Sequence, residues 1–156
     1  MKEQGSEIRF ILDVHLGRLA KYLRLCGFDS LFSAFFDDRE IIEIAMREGR
    51  VILTRDRLLL KSATKAKGYL VKSQYHDEQL REVFDRFELK RHVKLFRRCI
   101  ACNTLLEEVR KDDIEHRLQA DTSRYFSKFR RCPTCDRIYW EGSHYDNMKK
   151  SLEPLL

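Results

Sequence analysis

Four cysteines stand in two matched pairs, Cys99-Ile-Ala-Cys102 and Cys132-Pro-Thr-Cys135, with 29 residues between them. Thiols at i and i+3 of a tight turn supply two ligands each, and two such turns complete the tetrahedral sulfur set that zinc takes. Arg97, Arg98, Arg130 and Arg131 flank the pairs, and their charge favours the thiolate forms that bind metal. Redox-active or simply buried thiol pairs are the alternatives. In a reducing compartment two matched pairs point to metal. Four protein ligands close the site, so zinc here would be structural, and a small module would depend on it to fold. Cys26 stands alone on an apolar helical face and reads as a core thiol.

The second set is acidic. Asp13 ends an apolar run, Asp38 follows a second run, and Asp56 follows a third. If the runs are parallel strands, all three acids meet at one sheet edge. Neighbouring carboxylates repel and lose hydration, and a divalent cation among them removes both penalties. Magnesium or manganese takes such oxygen ligands, and can orient a water and stabilise a phosphoryl oxygen. Each acid also has a plainer role. Asp38 and Asp56 stand where helix caps belong, and Asp37 competes with Asp38 for the inward position. Asp13 is the hardest to explain away, because an acid at the end of an apolar strand is costly alone. Asp77 and Glu78 are further acids at a helix start. Arg18, Lys21, Arg24 and Arg55 lie near these acids and suit phosphate contacts; an ordinary charged helix face is the alternative, favoured for Lys21. His15, two residues past Asp13, suits a proton shuttle or a structural turn.

The elements that must position these residues follow from periodicity. Strands are expected at Ile8–Val14, Leu31–Phe35, Arg50–Arg55 and Tyr69–Lys72. Helices are expected at Leu16–Cys26, Arg39–Glu48 with Asp38 as cap, Leu58–Lys65 and Asp77–Phe87. Alternation of this kind predicts a parallel sheet covered by helices, with its site at the strands' carboxyl ends. The pattern breaks over Glu88–Lys94, which sets an α/β domain at 8–90 apart from a cysteine module at 91–156. A last helix is expected at Ser143–Leu152, opened by a Ser143/Asp146 capping box.

The 156 residues are 43% hydrophobic and 36% charged, which excludes a disordered chain. The net charge of +6 and pI near 9.1 favour an anionic partner such as RNA, with DNA a second candidate. Residues 91–156 hold 14 Lys+Arg against 10 Asp+Glu, making them the more basic part. No run approaches a membrane span and no signal peptide is visible, so a cytoplasmic protein without membrane contact is expected.

The segments ILDVHLGRLAKYLRLCGFD (11–29), DDREIIEIAMREGRVILTRD (37–56), EQLREVF (78–84), RCIACNTLL (98–106) and RCPTCDRIYWEGSHYDNM (131–148) together resemble the Mut-seven C-terminal ribonuclease family. The resemblance covers about Ile8 to Leu152. It implies a PIN-like three-layer α/β/α domain with a parallel sheet, followed by a small zinc ribbon. It implies a metal-dependent ribonuclease with Asp13, Asp38 and Asp56 as the acids, Asp37 as the alternative, and Cys99, Cys102, Cys132 and Cys135 on zinc. His15 departs from an apolar position of relatives. Tyr139, Trp140, Gly142, Ser143 and His144 belong to the family signature with no assigned task; the aromatics suit base stacking or packing. Two other readings stand beside the enzyme. One is a non-catalytic RNA-binding or ribosome-associated adaptor, and the other is a protein-docking domain that uses the ribbon.

Overall fold

A computed structural model describes residues 7–156. The chain divides into two compact units, one running up to Asn103 and the other Thr104–Leu156.

The first unit alternates β1 (Arg9–Leu12), α1 (Gly17–Leu25), β2 (Asp29–Phe32), α2 (Asp38–Glu48), β3 (Val51–Thr54), α3 (Arg57–Ser62), β4 (Gly68–Leu70) and α4 (His76–Phe87). All strand pairs are parallel, in the order β2-β1-β3-β4. The carboxyl ends of the four strands therefore share one edge. Alternate residues of β1 face opposite layers, as the two-residue period of a strand requires. Ile11 joins Ile52 in a cluster with Ile41 and Ala45 of α2 and Leu59 and Ala63 of α3. Phe10 turns the other way and meets Phe87 of α4 edge-on, with ring centroids 5.3 Å apart. The sheet is thus covered on both faces, giving the three-layer α/β arrangement expected. In α1 the apolar face read from the sequence, Leu16, Leu19, Ala20, Leu23 and Cys26, is wholly buried. Two glycines set close approaches. A Cβ on Gly17 would lie 2.9 Å from the Phe32 ring, so α1 starts tight against β2. Gly27 has φ +93, and a Cβ there would strike the Lys94 carbonyl.

Several boundaries differ from the sequence expectation. β2 covers Asp29–Phe32, not 31–35, because Asp29 and Ser30 are held by Arg50 and Asn103. The chain has left the sheet by Phe35, which is 94% exposed. Asp38 does not cap α2. Asp37 is the N-cap and forms a complete capping box with Glu40, the reciprocal pairing that satisfies two free helix donors. The units divide after Asn103, whereas the loss of apolar period marks 90/91. Residues 91–103 stay with the first unit because Lys94 N–H bonds the Cys26 carbonyl at 2.8 Å and the Asn103 side chain reaches β2. Leu89, in the stretch that looked merely charged, is fully buried.

The second unit carries β5 (Glu107–Val109), α5 (Lys111–Ile114), α6 (Ala120–Tyr125), β6 (Phe129–Arg131), β7 (Ile138–Tyr139) and α7 (Ser143–Leu152). Its strands form an antiparallel sheet, β5-β6-β7. Ile114, Phe129, Tyr145, Met148 and Leu152 are its buried apolar residues, and Trp140 packs with its ring 6.1 Å from that of Phe129. The Ser143/Asp146 capping box is absent. Gly142 holds the cap position, and Ser143 is already inside the helix with no side-chain cap bond. No helix among the described residues is long and apolar enough to cross a membrane.

Candidate functional site

The end of β1 leads directly to Asp13. Its amide bonds the Leu53 carbonyl at 3.0 Å, so Asp13 sits beside Thr54 at the end of β3. Asp13 is 7% exposed. One oxygen, Oδ1, accepts from Val14 N at 2.7 Å and caps a 3-10 turn, Val14–Leu16. The other, Oδ2, accepts from Thr54 Oγ1 at 2.9 Å. That same hydroxyl accepts the Asp56 N–H at 2.9 Å. A fully buried threonine therefore joins two of the acids. Asp56 caps α3 through the Leu58 N–H while its side chain remains exposed. Asp38 opens α2, also exposed. Partial loss of water comes first, and then the charges of Asp13, Asp56 and Asp37, in raising the Asp38 carboxyl above its ordinary range. Asp38 thus feels both acids across the edge. Among the described residues no ion pair forms to Asp13, Asp38 or Asp56.

The cations separate along α1, which runs back against the strands. Arg18 lies in its first turn, exposed, and close enough to His76 to act on its ionisation. Arg55 is exposed directly after β3. Lys21 is exposed one turn further along α1. Arg24 cannot serve the acidic edge. Six residues beyond Arg18 is about 9 Å along a helix, and this carries it toward the amino edge of the sheet. There its guanidinium is buried and donates to the carbonyls of Ser30 at 2.8 Å and of Ile100 and Ala101 at 3.2 Å.

Two residues of this edge escaped the sequence reading. Thr54 was visible only as the first letter of a Thr-Arg-Asp run, and its two-residue reach to the Asp56 amide is the usual Ser/Thr turn. His76 starts α4, where Glu82 and Gln79 clamp the preceding loop. Its ring lies 4.5 Å from that of Tyr22, and its buried Nδ1 has no partner. Burial first, then the Arg18 charge, lowers its pKa; Asp77 opposes this. His15 is exposed in the 3-10 turn and His144 is exposed on α7.

The thiols form a separate group. The ligand sulfurs of Cys99, Cys102, Cys132 and Cys135 all lie within 4.8 Å of one another. Tetrahedral zinc–sulfur bonds of about 2.3 Å put sulfurs about 3.8 Å apart, so the cluster suits that ion. Each pair ends in a turn closed by a bond to the first cysteine's carbonyl, from Asn103 N and from Asp136 N, both at 2.9 Å. Asn103 and Asp136 have positive φ, 75° and 63°, which asparagine and aspartate tolerate best after glycine. Cys135 N–H also points at Cys132 Sγ, 3.4 Å away. Among the described residues these four side chains are the group of three or more that the structure gathers as metal ligands, and the edge acids do not form such a group.

Fold and cysteines define an α/β domain with a parallel four-stranded sheet together with a four-thiol cluster able to bind zinc. The family model of the Mut7-C RNAse domain matches residues 8–152, nearly the whole chain. The chain belongs to that ribonuclease domain family. No curated protein and no solved structure gives a significant match.

Proposed function

We propose that this protein is a metal-dependent ribonuclease whose reaction centre is the carboxyl edge of the parallel sheet. Asp13, Asp38 and Asp56 are its acids, and magnesium or manganese is its cation. The observation that carries the reading is the nearly buried Asp13 carboxylate at the end of a central strand, with two further carboxylates at the same edge and no basic side chain paired to any of them. Asp13 is buried with only neutral donors on its carboxylate. The exposed Asp38 feels the charges of Asp13 and Asp56, and a cation among the three removes that repulsion. Magnesium keeps several of its waters and needs only one or two carboxylates in direct contact, so it does not require the closely gathered ligand set that the thiols form. When bound, such an ion supplies a water of lowered pKa and stabilises charge on a phosphoryl oxygen.

The chain's own residues divide the remaining work. Thr54 holds Asp13 in one rotamer and the Asp56 backbone in place. Asp37 is occupied by its capping box, which leaves Asp38 as the free acid of the pair. Arg18 and Arg55 flank the edge and suit the phosphates on either side of the scissile bond. Zinc on the four cysteines has a structural role, since its coordination is closed.

The test is cleavage of a mixed RNA pool, with magnesium, with manganese and without added metal. Wild-type protein and Asp13→Asn are compared, and zinc content is checked after each treatment. Cleavage that requires added metal and disappears with Asp13→Asn supports the reading. Equal behaviour of the two proteins sinks it, and salt-sensitive RNA binding without turnover would identify an adaptor instead.

A further inference from the structure

Soluble domains scatter exposed apolar residues singly over their surface, so a row of them at one place needs a reason. Among the described residues of the first unit the large apolar side chains that stay exposed are Val14, Phe35, Met46, Leu58 and Tyr75. All but Met46 lie in the segments that leave the carboxyl ends of the strands. Sheet order arranges them: Phe35 after β2, Val14 after β1, Leu58 after β3 and Tyr75 after β4. Each strand thus delivers one. Phe35, Leu58 and Tyr75 are 94%, 72% and 62% exposed. The neighbour of Phe35 shows the choice clearly, because Phe36 packs against the α2/α3 core while Phe35 does not.

These residues alternate with the charged groups already described. Val14 follows Asp13, Phe35 precedes the Asp37–Asp38 pair, Leu58 lies two residues past Asp56, and Tyr75 precedes His76. Arg18, Arg55 and Arg57 are exposed among them. Four strands spaced about 4.8 Å apart make a row of roughly 14 Å. A protein partner could also use aromatics and arginines together, but it gives no reason for carboxylates held without a basic partner at the centre of the row. The interleaved arginines and acids suit a polyanion whose backbone and flat apolar faces must be held side by side.

We propose that Phe35 and Tyr75, with Leu58 between them, are stacking platforms for unstacked bases of single-stranded RNA lying across this edge. The inference rests on the ribonuclease reading and adds its substrate class. Base faces rest on the aromatic rings, phosphates meet Arg18, Arg55 and Arg57, and the scissile phosphate falls to the acids. Stacking of this kind tolerates any base, because every base has a π-face. A duplex hides its base faces and leaves the platforms unused.

The experiment uses the full chain and a labelled single-stranded oligoribonucleotide. Its duplex and an abasic oligomer of equal length serve as comparisons. Binding is read by fluorescence anisotropy without added magnesium or manganese, and cleavage is read separately with them. Both aromatic side chains are exposed, so Phe35→Ala and Tyr75→Ala leave the core intact. Each should weaken single-strand binding by roughly 5- to 150-fold. Tyr75→Phe should keep the affinity, and the abasic oligomer should bind wild type as weakly as the intact one binds the double variant. Unchanged affinity in both alanine variants, or preference for the duplex, overturns the proposal and assigns the row to a protein partner. Stacking-dependent binding without cleavage keeps the platforms and removes the nuclease. Cleavage with wild-type kcat/KM in the double variant does the reverse, and no RNA binding at all overturns both.

Discussion

Thr54→Val tests the acidic edge at its least obvious point. The substitution is close to isosteric and the site is fully buried, so shape is conserved and only the hydroxyl is removed. Two bonds go with it: the donation to Asp13 Oδ2 and the acceptance from Asp56 N, both at 2.9 Å. A hydrogen bond to a charged group contributes about 1.5–3 kcal/mol and a neutral one about 1 kcal/mol. The Asp56 backbone lies near solvent, and water can replace part of the second. The expected loss is about 2–4 kcal/mol, a large share of the roughly 5–15 kcal/mol that stabilises a typical domain. Thr54→Ser keeps the hydroxyl and loses one methyl, which costs about 1 kcal/mol. Urea denaturation measures both, and metal-dependent RNA cleavage is measured on the same samples. Thr54→Val should lose most of its cleavage at a urea concentration where it is still folded, because Asp13 is no longer aimed. In a double-mutant cycle with Asp13→Asn the two changes should couple by about 1–2 kcal/mol. Serine behaving like valine, or valine like wild type, would refute the claim that this hydroxyl positions Asp13.

The adjacent acids Asp37 and Asp38 should separate cleanly. Asp37→Ala removes the cap of α2 and should cost about 1 kcal/mol of stability with little change in cleavage, whereas Asp38→Asn should abolish cleavage and leave the urea midpoint equal or higher, because its ionised form is disfavoured in the folded chain. Elemental analysis should find one zinc per chain, and its removal should flatten the near-ultraviolet dichroism of Trp140, the single tryptophan; an unchanged signal would show that the second unit folds without metal. His76 gives the pH dependence. Its folded pKa lies below the ordinary 6.5, so the unfolded chain takes up the proton first and stability falls as pH drops below about 6.5. His76→Gln should shrink the fall in urea midpoint between pH 7.5 and 5.5, and an identical fall in both proteins would dismiss it as the source.

Much of the architecture was legible because hydrophobic period survives folding. The α1 face and the span of α7 could be read directly. The mistakes lie where a residue's partner is distant in sequence. Arg24 reads as a phosphate ligand beside Arg18, yet its carbonyl partners are Ser30 and residues 100–101. β2 reads as starting at Leu31 because the apolar run begins there, whereas Arg50 and Asn103 hold Asp29 in the sheet. Asp37 and Asp38 could not be ordered without cap geometry, since either fits the pattern. Thr54 carries no signature of its own, and its role exists only because β1 and β3 are neighbours.

The two edges of the sheet treat carboxylates in opposite ways, and this contrast bears most on function. Asp29 stands at the amino edge. Its oxygen Oδ1 takes bonds at 2.7 Å from both Arg50 Nη1 and Asn103 Nδ2, and Arg98 lies 3.9 Å from Oδ2. Burial alone would push this carboxyl up, but the Arg50 and Asn103 bonds and the charges of Arg50 and Arg98 outweigh it and the net shift is downward. Its ionised form is therefore stabilised, and that contribution is lost only as pH falls through its lowered pKa. At the carboxyl edge, by contrast, Asp38 is pushed up by its acidic neighbours and no arginine is paired with Asp13, Asp38 or Asp56. The chain has the cations to neutralise an acid and does so where the need is structural. Arg18 and Arg55 stay exposed near the acids without pairing to them. Charge left open on a rigid scaffold is charge available to a ligand. Such an edge should bind a divalent cation more tightly as pH rises, since protons and metal compete for the same oxygens. Manganese affinity measured by calorimetry from pH 5 to 7.5 should increase over that range and lose the trend in Asp38→Asn. A flat profile in the wild-type protein would mean that these carboxylates do not hold the ion.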